Sequence, residues 1–199
     1  MTPYPSIMID VETLGRKPNS VILSIGAVYV DLTQGQLGRT LHCNMDPEEV
    51  EFYGMTRDDE TVRWWKNQSA VARQRTFDPS TRVTLKDALQ RLTAFVYETC
   101  GKGRTYDVYA CGPQFDISML EWSYHAVGLT PPWPFWAIRD YRTLREWYEH
   151  VKPPTKNKGH HDALYDAIHE AEHLIAIYQA HKLCLKNQLS VDKPTDDEL

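Results

Sequence analysis

A chain of 199 residues suits one compact domain with a sizeable core. Hydrophobic content of 42% and charged content of 25% are those of an ordinary soluble protein, and no apolar run approaches the roughly 20 residues of a membrane span. The net charge of −5 argues against a simple basic nucleic-acid binder, but not against an enzyme whose bound cations supply local positive charge.

The N-terminus has no basic stretch followed by an apolar segment, so no secretory signal is expected. Cys43, Cys100, Cys111 and Cys184 are scattered and form no C-x-x-C pair. Both observations fit a reducing, cytoplasmic setting without a membrane.

The first predicted element is a strand over residues 6–12, Ser-Ile-Met-Ile-Asp-Val-Glu. Its period of two puts Asp10 and Glu12 on one face, with Ile7, Ile9 and Val11 on the other. Two neighbouring carboxylates repel and lose hydration, and no Lys or Arg lies on the strand to offset this. A divalent metal is one solution; a strand end open to water is the other. Two further runs, at 20–31 and 38–45, complete an antiparallel meander. Residues 46–76 are polar with aromatic insertions and predict short helices.

Apolar positions Leu85, Ala88, Leu89, Leu92, Phe95 and Val96 have a helical period, with Thr84 and Asp87 as capping residues. Residues 107–111 read as a strand, and 115–128 as a helix ending at Gly128. Asp116 opens that helix, a position where Asp is commonly a cap. A Pro-rich loop at 129–136 leads to a helix at 141–151, then a basic loop at 153–161. A long helix from about Asp162 to His181 follows, and the residues after it read as a disordered tail. Strands, a helical insert, then helix, strand and helices make an α/β sandwich pattern.

On the last helix, Ala163, Leu164, Ala167, Ile168, Ala171, Leu174, Ile175 and Tyr178 fall within an arc of about 140°. Asp166 lies outside it, on a face that can look into a cleft. His160 and His161 precede the helix, and an imidazole suits proton transfer near neutrality.

Asp-x-Glu on the first strand, Phe-Asp opening a later helix and His-x-Ala-x-x-Asp on the last resemble the DnaQ-like 3'→5' exonucleases of the DEDDh type. The stretch TVRWWKNQSAVAR, and RDYRTL around Asp140, are similar to the DexA-like branch of T-even phages and their bacterial relatives. The resemblance implies an RNase H-like fold with a central mixed β-sheet flanked by helices. It implies an exonuclease domain over residues 1–182 and a flexible tail over 183–199. It also implies hydrolysis of single-stranded DNA or RNA from a free 3' end to nucleoside 5'-monophosphates. Asp10, Glu12, Asp116 and Asp166 would bind two Mg2+ or Mn2+ ions, and His161, the histidine at the family spacing, would be the general base. Members of that branch often form homodimers. One departure is Cys111-Gly112-Pro113-Gln114 ahead of Phe115, where many relatives carry an Asn.

Two ions about 3.5–4 Å apart can stabilise both the attacking and the leaving oxygen of a phosphodiester, which is why several carboxylates must converge. A non-catalytic nucleic-acid-binding or interaction module on the same fold is the alternative, and the intact acidic set argues against it. His-Glu-Ala-Glu-His at 169–173 matches the zinc-protease pattern H-E-x-x-H, but a catalytic zinc needs a third protein ligand, and no zincin extension follows. His169 and His173 then read as residues of a solvated face. Trp64 and Trp65 point about 100° apart on a helix, so at least one packs while the other can line a base-stacking wall. Arg63, Lys66, Arg73 and Arg75 form a basic cluster, either solvated or in contact with phosphate.

Overall fold

The computed structural model describes residues 5–102, 105–155 and 161–191, with side chains described as far as residue 184. Strand β1 (Pro5–Thr13) runs antiparallel to β2 (Ile22–Asp31), and β2 antiparallel to β3 (Gln36–Met45). The turn between β2 and β3 is set by Asp31, whose carboxylate accepts from the Thr33 and Gln34 amides at 2.9 Å each. Three short helices follow, α1 (Pro47–Phe52), α2 (Asp59–Lys66) and α3 (Ala70–Phe77), each begun by an Asp or Ser cap.

Strand β4 (Arg82–Val83) pairs with β3, and helix α4 (Leu85–Cys100) is capped by the Thr84 hydroxyl on the Asp87 amide. Strand β5 (Asp107–Ala110) lies parallel to β1 and leads into α5 (Asp116–Ala126). Strand β6 (Ile138–Asp140), α6 (Tyr141–Trp147) and α7 (Ala163–Val191) complete the order. The mixed sheet has the order β4-β3-β2-β1-β5-β6.

The expected meander is therefore the centre of a six-stranded sheet. The sequence reading lacks β4 and β6, which have two and three residues and are too short to display a period. Helix α7 continues to Val191 rather than ending near His181. Residues 192–199 of the expected tail, and residues 156–160 of the expected basic loop with His160, lie outside the described residues. No helix among the described residues is long and apolar enough to cross a membrane.

Alternation along the strands builds a core on each side of the sheet. Ile7, Ile9 and Val11 of β1 with Leu23, Ile25 and Ala27 of β2 pack under α4 and α5. Met8, Val28 and Val30 face the other way, under Ala167, Ala171 and Leu174 of α7 and Tyr141 of α6. Asp10 and Glu12 continue the row begun by Met8, so they lie on the face that α7 covers.

Gly26 sets how closely α7 can approach. It pairs with Asp10 across the sheet and lies under the first turn of α7. A Cβ there would stand 2.1 Å from the carbonyl carbon of Ala163 and 2.2 Å from the Leu164 amide nitrogen. Those are backbone atoms, so no side chain can swing aside. Gly26→Ala is expected to destabilise the fold by about 2–3 kcal/mol, as overpacking does, because the start of α7 must lift away. Urea unfolding measures this, and a midpoint equal to the parent's would contradict the close approach.

Candidate active site

The carboxyl ends of parallel strands are where open α/β sheets leave a crevice. Here β5 pairs with β1 only from Ser6 to Met8, so β1 runs past its neighbour. The Val11 amide beyond that point donates to Asp116 Oδ1 at 3.2 Å. A buried backbone donor needs an acceptor, and the first residue of α5 supplies one where the next strand has stopped. Phe115 is the cap residue and makes no side-chain cap bond, so Asp116 does not act as the helix cap. Its carboxylate looks inward and is 3% exposed. The pairing register of β1 and β2 shifts just after Glu12, a bulge of the kind that re-aims side chains beside a site.

The first turn of α7 closes the group. Ligand atoms of Glu12, His161 and Asp166 lie within 4.8 Å of one another. Asp10 and Asp116 join them electrostatically. Burial pushes the Asp10 carboxyl well above its ordinary range, and the charges of Asp116, Glu12, Glu170 and Asp166 push it further. Burial also raises Asp116, to about 7, with the Glu170 charge adding to it; the Val11 amide bond and Arg142 act weakly against this. The structure thus brings all five predicted residues, Asp10, Glu12, Asp116, His161 and Asp166, to one place. An oxygen-rich donor set with one imidazole and an excess of buried negative charge fits a hard divalent cation.

His161 holds its position at a cost. Its φ of +65° is left-handed, which costs a non-glycine residue about 1–2 kcal/mol. Its amide donates to Asp166 Oδ2 at 3.1 Å, and its carbonyl accepts from the Thr76 hydroxyl at 3.3 Å. The imidazole meets the Trp64 ring edge-on, with centroids 4.6 Å apart. Asp162, one helical turn before Asp166, is committed elsewhere. Its Oδ1 accepts from the Tyr165 amide at 3.0 Å, and its Oδ2 pairs with Arg75 at 3.0 Å.

The two tryptophans separate as their helical spacing requires. Trp65 is buried and donates from Nε1 to the Thr13 carbonyl at 2.8 Å. Trp64 is 41% exposed and, with Glu12, Thr13, Arg16, Thr61 and Phe115, lines a cleft of about 360 Å3. The basic cluster separates too: Arg75 pairs with Asp162, whereas Lys66 and Arg73 line a second cleft together with Trp65.

Two readings of the last helix need correction. His173 is not on a solvated face; it is 1% exposed. Its Nε2 lies 2.8 Å from the Val151 carbonyl, which can only accept, so Nε2 carries the proton and Nδ1 accepts from the Tyr141 hydroxyl at 2.7 Å. With both nitrogens engaged, the zinc-protease pattern has no second histidine to offer. Glu170 is the residue that sequence reasoning missed. It lies one turn beyond Asp166, a spacing that shares a face, and its charge acts on both Asp10 and Asp116. Arg142 is a second omission. Its guanidinium donates to the Cys111 carbonyl at 2.9 Å and is close enough to Asp116 to affect its titration.

Residues 5–178 match the model of the Rv2179c-like 3'-5' exoribonuclease domain. No curated protein sequence matches the chain significantly. Among solved structures, the nuclease domain of 3'hExo, a DEDDh family member bound to rAMP, is similar with a TM-score of 0.61 at 14% identity, over 90% of this chain and 94% of that one. The zinc-bound complex of E. coli ExoI with single-stranded DNA is similar with a TM-score of 0.68 at 11% identity, over 95% of this chain but 43% of that one. A 3'-exonuclease that recognises the histone mRNA stem-loop gives 0.60 at 14% identity, over 90% and 84%. At these identities the likeness establishes the RNase H-like fold.

Without divalent ions, folded Asp10 and Asp116 hold protons more tightly than the unfolded chain does. The stability they contribute is complete below the ordinary value of 3.8 and is lost as pH rises through the folded value, about 7 for Asp116. In chelator, the Tm of the parent is expected to fall relative to that of Asp116→Asn between about pH 4 and about pH 7. The variant keeps an oxygen for Val11. Parallel Tm curves for the two proteins would show that the acids are not coupled in this way.

Proposed function

The chain belongs to the Rv2179c-like family of 3'-5' exoribonuclease domains, and on that premise we propose that it is a 3'→5' exonuclease releasing nucleoside 5'-monophosphates from single-stranded nucleic acid, with RNA preferred. The convergence of Asp10, Glu12 and Asp166 with His161 beside buried Asp116 carries this reading. A module that only binds nucleic acid has no use for so much buried like charge, which costs stability and repels phosphate.

Asp10, Glu12, Asp116 and Asp166 would hold two divalent ions, Mg2+ or Mn2+. When bound, such ions stabilise the negative charge that grows on the attacking and leaving oxygens. The chain's own residues supply the rest. His161 takes the proton of the attacking water, its ring held by Trp64 on one side and facing Glu12 and Asp166 on the other. The cleft beside Glu12 offers Phe115 and Trp64 as faces for the terminal base, and stacking accepts any base. Arg142, at the edge near Asp116, can bridge to a phosphate oxygen. The stretch TVRWWKNQSAVAR, which contains both tryptophans, supports kinship with the DexA-like branch.

Matched 3'-end-labelled RNA and DNA strands with saturating magnesium test the proposal. The expected outcome is mononucleotide release that chelator abolishes, faster on RNA. Asp10→Ala should abolish turnover, and His161→Ala should lower kcat by about 10²–10⁴-fold. Full magnesium-dependent activity in Asp10→Ala would refute the reading. Equal rates on both strands would refute only the RNA preference.

A further inference from the structure

We infer that Arg75 is a positioning residue for the proposed reaction: from outside the carboxylate group, it fixes the backbone that aims His161. The inference rests on His161 being the general base.

A left-handed residue persists only when its surroundings over-determine it. For His161, one insert, residues 59–77, supplies contacts to both the ring and the carbonyl. The imidazole rests on the edge of Trp64. The carbonyl is held by the hydroxyl of Thr76, which is 2% exposed. The next residue, Asp162, is held by Arg75. The Asp162 side chain is 9% exposed, whereas that of Arg75 is 54% exposed. The arginine therefore reaches in from the surface to neutralise a buried carboxylate. That carboxylate also caps the start of α7 through the Tyr165 amide. Arg75 is itself anchored, because its carbonyl accepts from Asn44 Nδ2 of β3 at 2.8 Å.

Removing the guanidinium takes away the ion pair of the buried Asp162 and leaves its Oδ2 without that cation, while Oδ1 still accepts from the Tyr165 amide. The carboxylate then gains by turning toward water, and the peptide joining it to His161 turns with it. The imidazole leaves its place between Trp64 and the acids, while the four acids stay on β1, α5 and α7. Thr76 and Arg75 thus act on one histidine through the same peptide group, the one that joins it to Asp162. In an acidic chain, this use of Arg75 also accounts for one member of the basic cluster without phosphate.

Steady-state kinetics on a labelled single strand with saturating magnesium test this in a double-mutant cycle. Arg75→Ala is expected to lower kcat by about 10–100-fold with KM nearly unchanged. Arg75→Lys should recover most of the loss, since the ammonium of a lysine can supply the charge that meets Asp162 Oδ2 at 3.0 Å. In the His161→Ala background, Arg75→Ala should cost less than about twofold, because the group it positions is gone. Thr76→Val, which replaces the hydroxyl with a methyl of similar size, should repeat the pattern and serves if Arg75→Ala folds poorly. An equal loss from Arg75→Ala in both backgrounds would overturn the inference, as would a rise in KM alone, the mark of a phosphate contact. Normal turnover by His161→Ala would instead refute the general base itself, and the inference with it.

Discussion

Helix α7 comes so near strand β2 that a single methyl group on Gly26 would stand 2.2 Å from the Ala163 carbonyl oxygen. The contact lies beside Asp10, because Gly26 and Asp10 are partners across the sheet. Pressing the helix down at this point brings Asp166 and His161 level with the carboxylates of β1. Had β2 carried a larger residue here, the helix would ride higher and its acid would end above the crevice. The apolar row farther along, Met8, Val28 and Val30 against Ala167, Ala171 and Leu174, holds the helix at that height.

What the close approach gathers is mutually repulsive. Asp10 and Asp116 are driven toward protonation by their own burial, and Glu170 adds a further negative charge. The two cores that sandwich the sheet offset this local cost. Proteins commonly spend stability in this way at working sites, where groups are arranged for chemistry rather than for rest. The left-handed His161 belongs to the same pattern: its strain is local, and its restraint is supplied by the insert from Asp59 to Phe77.

Much of this was legible in the sequence. The paired faces of β1 follow from alternation, so Asp10 and Glu12 could be seen to share a side. Asp166 stood out because it falls off an otherwise apolar arc, and His161 because of its spacing to that acid. Thr84 announced its helix correctly. What stayed hidden depends on distant partners. The burial of His173 is decided by Tyr141 and by the Val151 carbonyl, neither of which is near it in sequence. Glu170 was absorbed into a metalloprotease pattern, although its spacing from Asp166 already placed the two on one face. Strands β4 and β6 exist only as short additions to strands already formed, and their residues carry no period of their own.

The order in which the chain contributes its acids has a consequence for how the protein comes into being. Asp10 and Glu12 lie on the first strand, Asp116 reaches the Val11 amide across 105 residues, and His161 and Asp166 arrive only with α7. The hairpins of β1, β2 and β3 are local and inexpensive to close, whereas the return of α7 to β2 spans most of the chain. The packing of α7 on the sheet therefore both buries the second core and completes the candidate site. A chain cut short before residue 161 keeps Asp10, Glu12 and Asp116 but lacks His161 and Asp166.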